Sequence, residues 1–127
     1  MEVIKYNSSH FNEIKEWHKY YNQDLDESYL STTGFIILGH ACGFLYLTNS
    51  KQAYVEVLCK NPHIDKDKTD IALNMIIQEI INYSKELGFK LLIGDTVFKN
   101  VVNRVCDTFD GIISKNQFIR LYIDLEK

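Results

Sequence analysis

Residues 53–93 read AYVEVLCKNPHIDKDKTDIALNMIIQEIINYSKELGFKLLI, and this stretch predicts a strand, a helix and a second strand in succession. The first strand is predicted over residues 53–59, and Pro62 closes it because proline cannot donate to a sheet ladder. Apolar residues then recur at helical spacing until Gly88, the residue type expected just beyond a helix C-terminus. The second strand is predicted over residues 90–97. This succession predicts a crossover connection that sets the two strands parallel.

The residues before this stretch predict the rest of an antiparallel sheet. Residues 2–7 form a short first strand, and residues 8–10 are expected to cap the helix that follows. That helix is predicted from residues that recur at helical spacing: Phe11, Ile14, Trp17, His18 and Tyr21. Residues 22–31 are acidic and irregular, with room for one short helical turn. Residues 35–38 and 43–47 are two strands that, with residues 53–59, predict an antiparallel meander.

The residues after the crossover predict one more helix and two strands. The helix contains Val101 to Phe109 and ends near Gly111. Ile112–Ile113 and residues 117–125 are predicted as the closing strands. The fold class is therefore α/β (α+β), a single domain over residues 1–127 with a mixed, mostly antiparallel sheet flanked by helices. Its predicted order is β-α-β-β-β-α-β-α-β-β, and edge pairing of residues 117–125 would give a homodimer.

Composition excludes several classes of function. The chain has 127 residues, of which 46% are hydrophobic, so it can bury one core. No apolar run is long enough to span a membrane, and the N-terminus has no signal-peptide pattern, so we expect a cytoplasmic protein with no membrane partner. The net charge of −3 without a basic stripe argues against a nucleic-acid partner. The three cysteines and four histidines lack metal-ligand spacing, so no metal site is expected.

Local features along the whole chain resemble the GNAT acetyltransferase superfamily. They stand in the order in which that family has them: Gly43-Phe44 at the third strand, Pro62 after the fourth, Ala72-Leu73 and the helix end at residues 84–89, then Asn100 and Gly111 around the late helix. The resemblance implies that acetyl-CoA lies between two splayed strands, residues 53–59 and 90–97. It also implies transfer of an acetyl group to the amine of a small molecule or protein.

The resemblance assigns roles to particular residues. In the family, a backbone N–H of the fourth strand polarises the thioester carbonyl, and amides at the start of the next helix hold the pyrophosphate. The corresponding cofactor-binding residues here are Leu58, Cys59, Lys60, Lys66, Lys68, Thr69 and Asn100. Glu56 is the candidate base for the amine. Asp107 falls at the position of the tyrosine that protonates the leaving thiolate, so it is the candidate acid.

The phosphate-binding segment departs from the family pattern. The family's Q/R-x-x-G-x-G/A falls on residues 65–70, DKDKTD, which contain no glycine. Glycine allows the backbone to approach phosphates closely, and each carboxylate beside a pyrophosphate would repel it by ~1 kcal/mol even in a water-like dielectric. Lys66, Lys68 and Thr69 could still contact a phosphate. The alternative is that Asp65 or Asp67 caps the helix and the lysines are simply solvated.

Other candidates also have two interpretations. If the strand is regular, Glu56 faces the same side as Tyr54, Leu58 and Lys60, and it is either a base or a solvated or ion-paired surface residue. Cys59 is either an acyl-carrying thiol or a small buried side chain. His63, after Pro62, could titrate near neutral pH or could simply be exposed.

The acceptor side has the same ambiguity. Tyrosines and Trp17 cluster around the first helix, where the family shapes its acceptor site, but helical spacing also explains Trp17 as packing. The acids Asp24, Asp26 and Glu27 suit a cationic amine or form a solvated loop. Two functions follow from the resemblance: an acyl-CoA-dependent N-acetyltransferase with a divergent cofactor site, or a catalytically inactive GNAT-fold binding or assembly protein, such as one encoded by a phage. Without the resemblance, a small-ligand sensor on an unrelated α+β fold is the third alternative.

Overall fold

The computed structural model describes residues 1–96, 98–114, 121 and 123–126. The chain divides into two compact units, Met1–Asp95 and Thr96–Lys127. A single domain over the whole chain stays a prediction. None of the described helices is both long and apolar enough to cross a membrane.

The first unit contains one five-stranded sheet whose strands lie side by side in chain order. They are β1 (Ile4–Lys5), β2 (Gly34–Ile37), β3 (Ala41–Tyr46), β4 (Gln52–Lys60) and β5 (Leu91–Ile93). Neighbours are antiparallel from β1 to β4, and β4 and β5 are parallel. The predicted meander and the predicted parallel crossover are both confirmed.

Two helices belong to this unit, α1 (Phe11–Tyr20) and α2 (Lys66–Glu86). A short 3₁₀ turn, Ser8–His10, precedes α1, and its cap is Asn7, whose Oδ1 accepts from the Ser9 N–H at 2.9 Å. The cap is thus one residue earlier than predicted. The acidic segment has one 3₁₀ turn, Glu27–Tyr29, as expected. α2 ends before Gly88, whose φ of +87° is a conformation that glycine adopts without strain.

The sheet buries a different cluster on each face. Toward α1 the buried residues are Ile14, Trp17, Ile36, Cys42, Phe44 and Cys59. On the other face, α2 packs against β3 at Gly43. A Cβ atom there would lie 2.7 Å from a Leu58 methyl and 2.8 Å from Ile76 Cγ2. The missing side chain of Gly43 therefore allows α2 to lie close to the sheet.

The second unit contains α3 (Lys99–Phe109). Asp110 follows in the left-handed conformation, and the Gly111 N–H donates to the Val105 carbonyl at 2.9 Å, so the predicted stop is confirmed. The predicted strand at Ile112–Ile113 is wrong, since no strand occurs in residues 111–114 and Ile112 is 95% exposed. An apolar pair makes a strand only where a neighbour completes its ladder. The predicted strand at 117–125, and with it the dimer edge, falls largely outside the described residues.

His18 makes the stability of this fold depend on pH. The residue is 3% exposed on α1, and its Nδ1 lies 2.7 Å from the Ile14 carbonyl oxygen. Burial lowers the pKa of His18 from its usual 6.5, and the backbone hydrogen bond opposes the shift. Because the unfolded chain then binds the proton more readily, this stabilisation is complete above pH 6.5 and is lost as the pH falls below it.

We expect His18→Gln to flatten this pH dependence. Gln does not titrate, and its amide can still donate to the Ile14 carbonyl. Urea denaturation between about pH 8 and pH 5 should show a steeper loss of stability in the wild type than in the variant. Equal slopes for the two proteins would contradict the assignment.

Candidate functional site

β4 contains one residue more than the part of β3 that it faces. Phe44 pairs with Glu56, and Cys42 pairs with Cys59, so two steps along β3 correspond to three steps along β4. Within this bulge Val57 has a φ of +60°. A β-branched residue rarely adopts that conformation, which costs on the order of 1–3 kcal/mol. Such strain persists only where the surrounding structure enforces it, and it is concentrated at functional sites.

The bulge changes which residues share a face of the sheet. Residues paired directly across two strands point to the same side, so Glu56 lies on the α1 face with Phe44. Leu58 and Lys60 instead contact residues of α2 on the other face. The prediction that Glu56 shares a side with Tyr54 is confirmed. For Leu58 and Lys60 it is wrong, because the extra residue interrupts the alternation on which it depended.

β4 and β5 are paired over a short distance only. The ladder joins Gln52, Ala53 and Tyr54 to Leu91, Leu92 and Ile93. A Cβ on Gly94 would lie 3.4 Å from the Val55 carbonyl oxygen, so the two backbones are still close at that point. β4 continues to Lys60, and within Met1–Asp95 no described strand pairs with this edge beyond Tyr54. The bulge thus lies where β4 has passed the end of its parallel ladder.

The start of α2 is closed by its own side chains. Asp65 caps the helix, and its Oδ1 accepts from the Asp67 N–H at 3.0 Å. The predicted alternative in which an aspartate caps this helix is therefore confirmed for Asp65. Thr69 is 2% exposed, and its hydroxyl donates to the Lys66 carbonyl at 3.1 Å. The Thr69 N–H donates to the Asp65 carbonyl at 3.2 Å. The Asp67 N–H and the hydroxyl and N–H of Thr69 therefore donate to groups of the helix start itself rather than to a phosphate.

Asp70 binds two of the predicted cofactor lysines. Lys60 Nζ lies 2.7 Å from Asp70 Oδ1, and Lys66 Nζ lies 3.2 Å from Asp70 Oδ2. The Lys60 and Asp70 side chains are 16% and 27% exposed, whereas Lys66 is 79% exposed. The Lys60–Asp70 pair is therefore the stronger of the two, since exposed ion pairs contribute little. Lys68, the third lysine predicted to bind the cofactor, is exposed.

The loop between β4 and α2 is fixed by Asn61. Its Nδ2 donates to the Gly39 carbonyl at 2.8 Å, and its Oδ1 accepts from the His63 N–H at 2.9 Å. The His63 ring packs edge-on against Tyr20, with ring centroids 5.6 Å apart. His63 is therefore an exposed residue with an aromatic neighbour, and Asn61 holds the end of β4 and the start of α2 in place.

Cys59 is unsuited to carry an acyl group. The residue is 6% exposed, and burial raises the pKa of its thiol to about 12, although Lys60 opposes the shift. The nucleophilic form of cysteine is the thiolate, which is scarce at neutral pH for such a thiol. Of the two interpretations of Cys59, the structure favours the small buried side chain. Its role in contacting a cofactor through the backbone stays a prediction.

The acidic segment predicted to lie at the acceptor site lines a shallow depression beside α1. Its volume is about 340 Å³, and its lining residues are Phe11, Lys15, Asp24, Leu25, Asp26 and Glu27. Trp17 is 2% exposed and packs in the core, while Tyr29 is 69% exposed. Hydrogen bonds from Ser28 lower the pKa of Asp26, so this carboxylate is ionised at neutral pH. In the part of the chain that the structure describes, no cluster of His, Cys, Asp or Glu could hold a metal ion.

The remaining two candidates lie in the second unit. Asn100 is in the first turn of α3, and Asp107 is in its last turns; both side chains are exposed. Their assignments as a cofactor-binding residue and as the acid for the leaving thiolate stay predictions.

The fold is shared with acetyltransferases of known structure. A putative acetyltransferase from Agrobacterium tumefaciens aligns with a TM-score of 0.70 and 10% identity, over 95% of this chain and all of its own (100%). Rv2747 from Mycobacterium tuberculosis, solved in complex with CoA, aligns with a TM-score of 0.68 and 14% identity, over 82% of this chain and 69% of its own. Glucosamine-6-phosphate N-acetyltransferase from Arabidopsis thaliana aligns with a TM-score of 0.61 and 12% identity, over 97% of this chain and 98% of its own.

No protein-family model matches the chain, and no curated protein matches its sequence. The structural likeness therefore defines the fold: the chain has the GNAT acetyltransferase fold, as the resemblance in its sequence predicted.

Two features of the site were not foreseen from the sequence. Nothing in VEVLC, residues 55–59, marks a left-handed residue, and the one signal is Gly43 opposite the bulge. The bridge from Asp70 to Lys60 and Lys66 was missed as well. The i, i+4 spacing of Lys66 and Asp70 signals half of it.

Proposed function

We propose that the protein is an acyltransferase of the GNAT type, which transfers an acetyl group from acetyl-CoA to an amine. The strained bulge at Val57, located where β4 extends beyond its ladder with β5, carries this proposal. A backbone distorted at this cost suggests a required geometry of N–H groups. The relative from M. tuberculosis was solved with CoA, which supports the choice of donor class.

The fit to acetyl-CoA differs between its two ends. The acyl end suits β4, because an open strand edge with a bulge can direct backbone N–H groups at a carbonyl oxygen. The pyrophosphate end does not suit the start of α2, where Asp65 already accepts the Asp67 N–H and Asp70 already pairs with Lys60 and Lys66. No role in the reaction is therefore assigned to the pyrophosphate.

The roles of the chain's own residues follow from their positions. An acyl thioester supplies an activated carbonyl carbon. Backbone N–H groups of residues 57–59 stabilise negative charge on the carbonyl oxygen, a contribution of about 10²–10³-fold when such donors are preorganised. Glu56 accepts a proton from the amine, since it lies on the α1 face, the same face as the acidic depression. Asp24, Asp26 and Glu27 favour an acceptor that is cationic before it reacts.

A second candidate function has its own supporting observation. The carboxylates of Asp65 and Asp70 at the start of α2 argue for a GNAT-fold protein that binds or assembles without catalysis. Under that alternative the bulge is an inherited feature of the fold.

A titration with acetyl-CoA tests the proposal. Thermal unfolding should shift upward, since ligand at 100 times its dissociation constant adds about 2.7 kcal/mol of stability. Release of free thiol with an amine acceptor should be detectable, and Glu56→Gln should lower that rate by about 10²-fold without abolishing the thermal shift. Absence of any shift at millimolar acetyl-CoA would instead favour the second candidate.

A further inference from the structure

The charges at the junction of β4 and α2 cancel. Lys60, Lys66 and Lys68 supply three positive charges within residues 60–70, and Asp65, Asp67 and Asp70 supply three negative charges. A diphosphate that approached this junction would meet no net positive charge. Long-range attraction, which normally assists the binding of an anion at a helix N-terminus, is therefore weak here.

Two of these three lysines are also engaged at short range. The Asp70 carboxylate bridges Lys60 and Lys66 at 2.7 and 3.2 Å, distances at which each lysine could otherwise bind a phosphate oxygen. The Asp65 carboxylate accepts the N–H of Asp67, and the Thr69 hydroxyl is bonded to the Lys66 carbonyl. Carboxylates of the chain itself are thus already paired with the ammonium and N–H groups that an incoming diphosphate would need.

We infer that Asp70 is a built-in substitute for a bound phosphate, and that the protein engages its donor without the diphosphate of CoA. The inference rests on the proposed function, in that the donor is an acyl thioester. A diphosphate could bind only after it displaced Asp70 from Lys60, a pair that is mostly shielded from solvent. The protein then binds its donor through the acyl and pantetheine portion, which lies along the edge of β4.

A comparison of two donors tests this inference. Acetyl-CoA and acetyl-pantetheine share the thioester and the pantetheine arm, but acetyl-pantetheine lacks the diphosphate and nucleotide. Calorimetric titration of the wild type should give dissociation constants within about threefold of each other, with little dependence on salt. An advantage of about tenfold or more for acetyl-CoA, lost at high salt, would overturn the inference.

Asp70→Asn provides the complementary test. The amide keeps the shape of the side chain but frees both lysines, so acetyl-CoA should bind about tenfold more tightly while acetyl-pantetheine is unaffected. Asp67→Asn is the matched control, because it removes the same charge from an exposed position in the same turn and should change affinity by less than about threefold. Equal gains in the two variants would show that only net charge matters and would overturn the role of Asp70.

Lys66→Met covers the case in which Asp70→Asn does not fold. Lys66 is 79% exposed, so its replacement should leave the fold intact. If the inference is right, acetyl-CoA affinity of Lys66→Met equals that of the wild type, and a loss of about tenfold would contradict it.

Inorganic pyrophosphate separates this inference from the proposed function. Asp70→Asn should bind it and the wild type should not, whether or not either protein transfers an acyl group. Failure of both acyl donors to bind, with this difference in pyrophosphate binding retained, would overturn the proposed function and leave the role of Asp70 standing. Equal pyrophosphate binding by the two proteins would overturn the role of Asp70 itself.

Discussion

Deleting Val57 should lower the rate of acyl transfer by about 10²–10³-fold while the protein stays folded. The deletion leaves Leu58 as the single residue opposite Gly43, so β3 and β4 would pair in a regular ladder. Glu56 and Cys59 would remain on the α1 face and Leu58 on the α2 face. The variant also loses the left-handed residue and its strain. What disappears is the distorted backbone whose N–H groups we place against the carbonyl oxygen.

Val57→Gly is the control for this deletion. Glycine keeps the extra residue and adopts a positive φ without strain, so the variant should transfer at close to the wild-type rate. Thiol release measured for the three proteins, with circular dichroism to verify folding, gives the comparison. A folded deletion variant with wild-type activity would show that the bulge has no catalytic role.

Replacing Phe44 by alanine should lower the free energy of unfolding by about 3–5 kcal/mol, the range for a fully buried aromatic side chain. Phe44 is 0% exposed, and its ring lies edge-on to Tyr6 with centroids 4.8 Å apart. The ring also covers Gly34, its partner on β2, since a Cβ at Gly34 would lie 2.5 Å from two ring carbons. Truncation therefore leaves a cavity beside a residue that has no side chain to fill it.

Urea denaturation of Phe44→Ala and Ile71→Ala checks this expectation. Ile71 is 55% exposed on α2, so its truncation should cost less than about 1 kcal/mol. Similar losses in the two variants would mean that the core is not organised around Phe44.

The elements that the sequence predicted correctly are those specified by local patterns. Alternation and apolar runs of strand length define β2, β3 and β4, and helical spacing bounded by Asp65 and Gly88 defines α2. The parallel pairing of β4 with β5 followed because a crossover of this kind has a preferred geometry. Sequence was sufficient where neighbouring residues determine the outcome.

The site depends on contacts that local patterns do not encode. Valine favours an extended strand, so its left-handed conformation at position 57 arises from the register with β3 rather than from its own preference. Lys60 and Asp70 are ten residues apart and meet across the turn between β4 and α2, in which Asn61 is hydrogen-bonded to Gly39. The predicted strand at Ile112 is absent for a related reason, since apolar character alone does not form a strand without a neighbouring strand to pair with.

β5 joins the sheet only after the 21-residue helix α2, whereas short turns connect β2, β3 and β4. Contacts between residues close in sequence form early in folding, and contacts across long connections form late. β2, β3 and β4 should therefore assemble first, and the three-residue ladder between β4 and β5 should form later. The edge of β4 on which we place the chemistry is then defined by a short pairing that forms after the central strands have assembled.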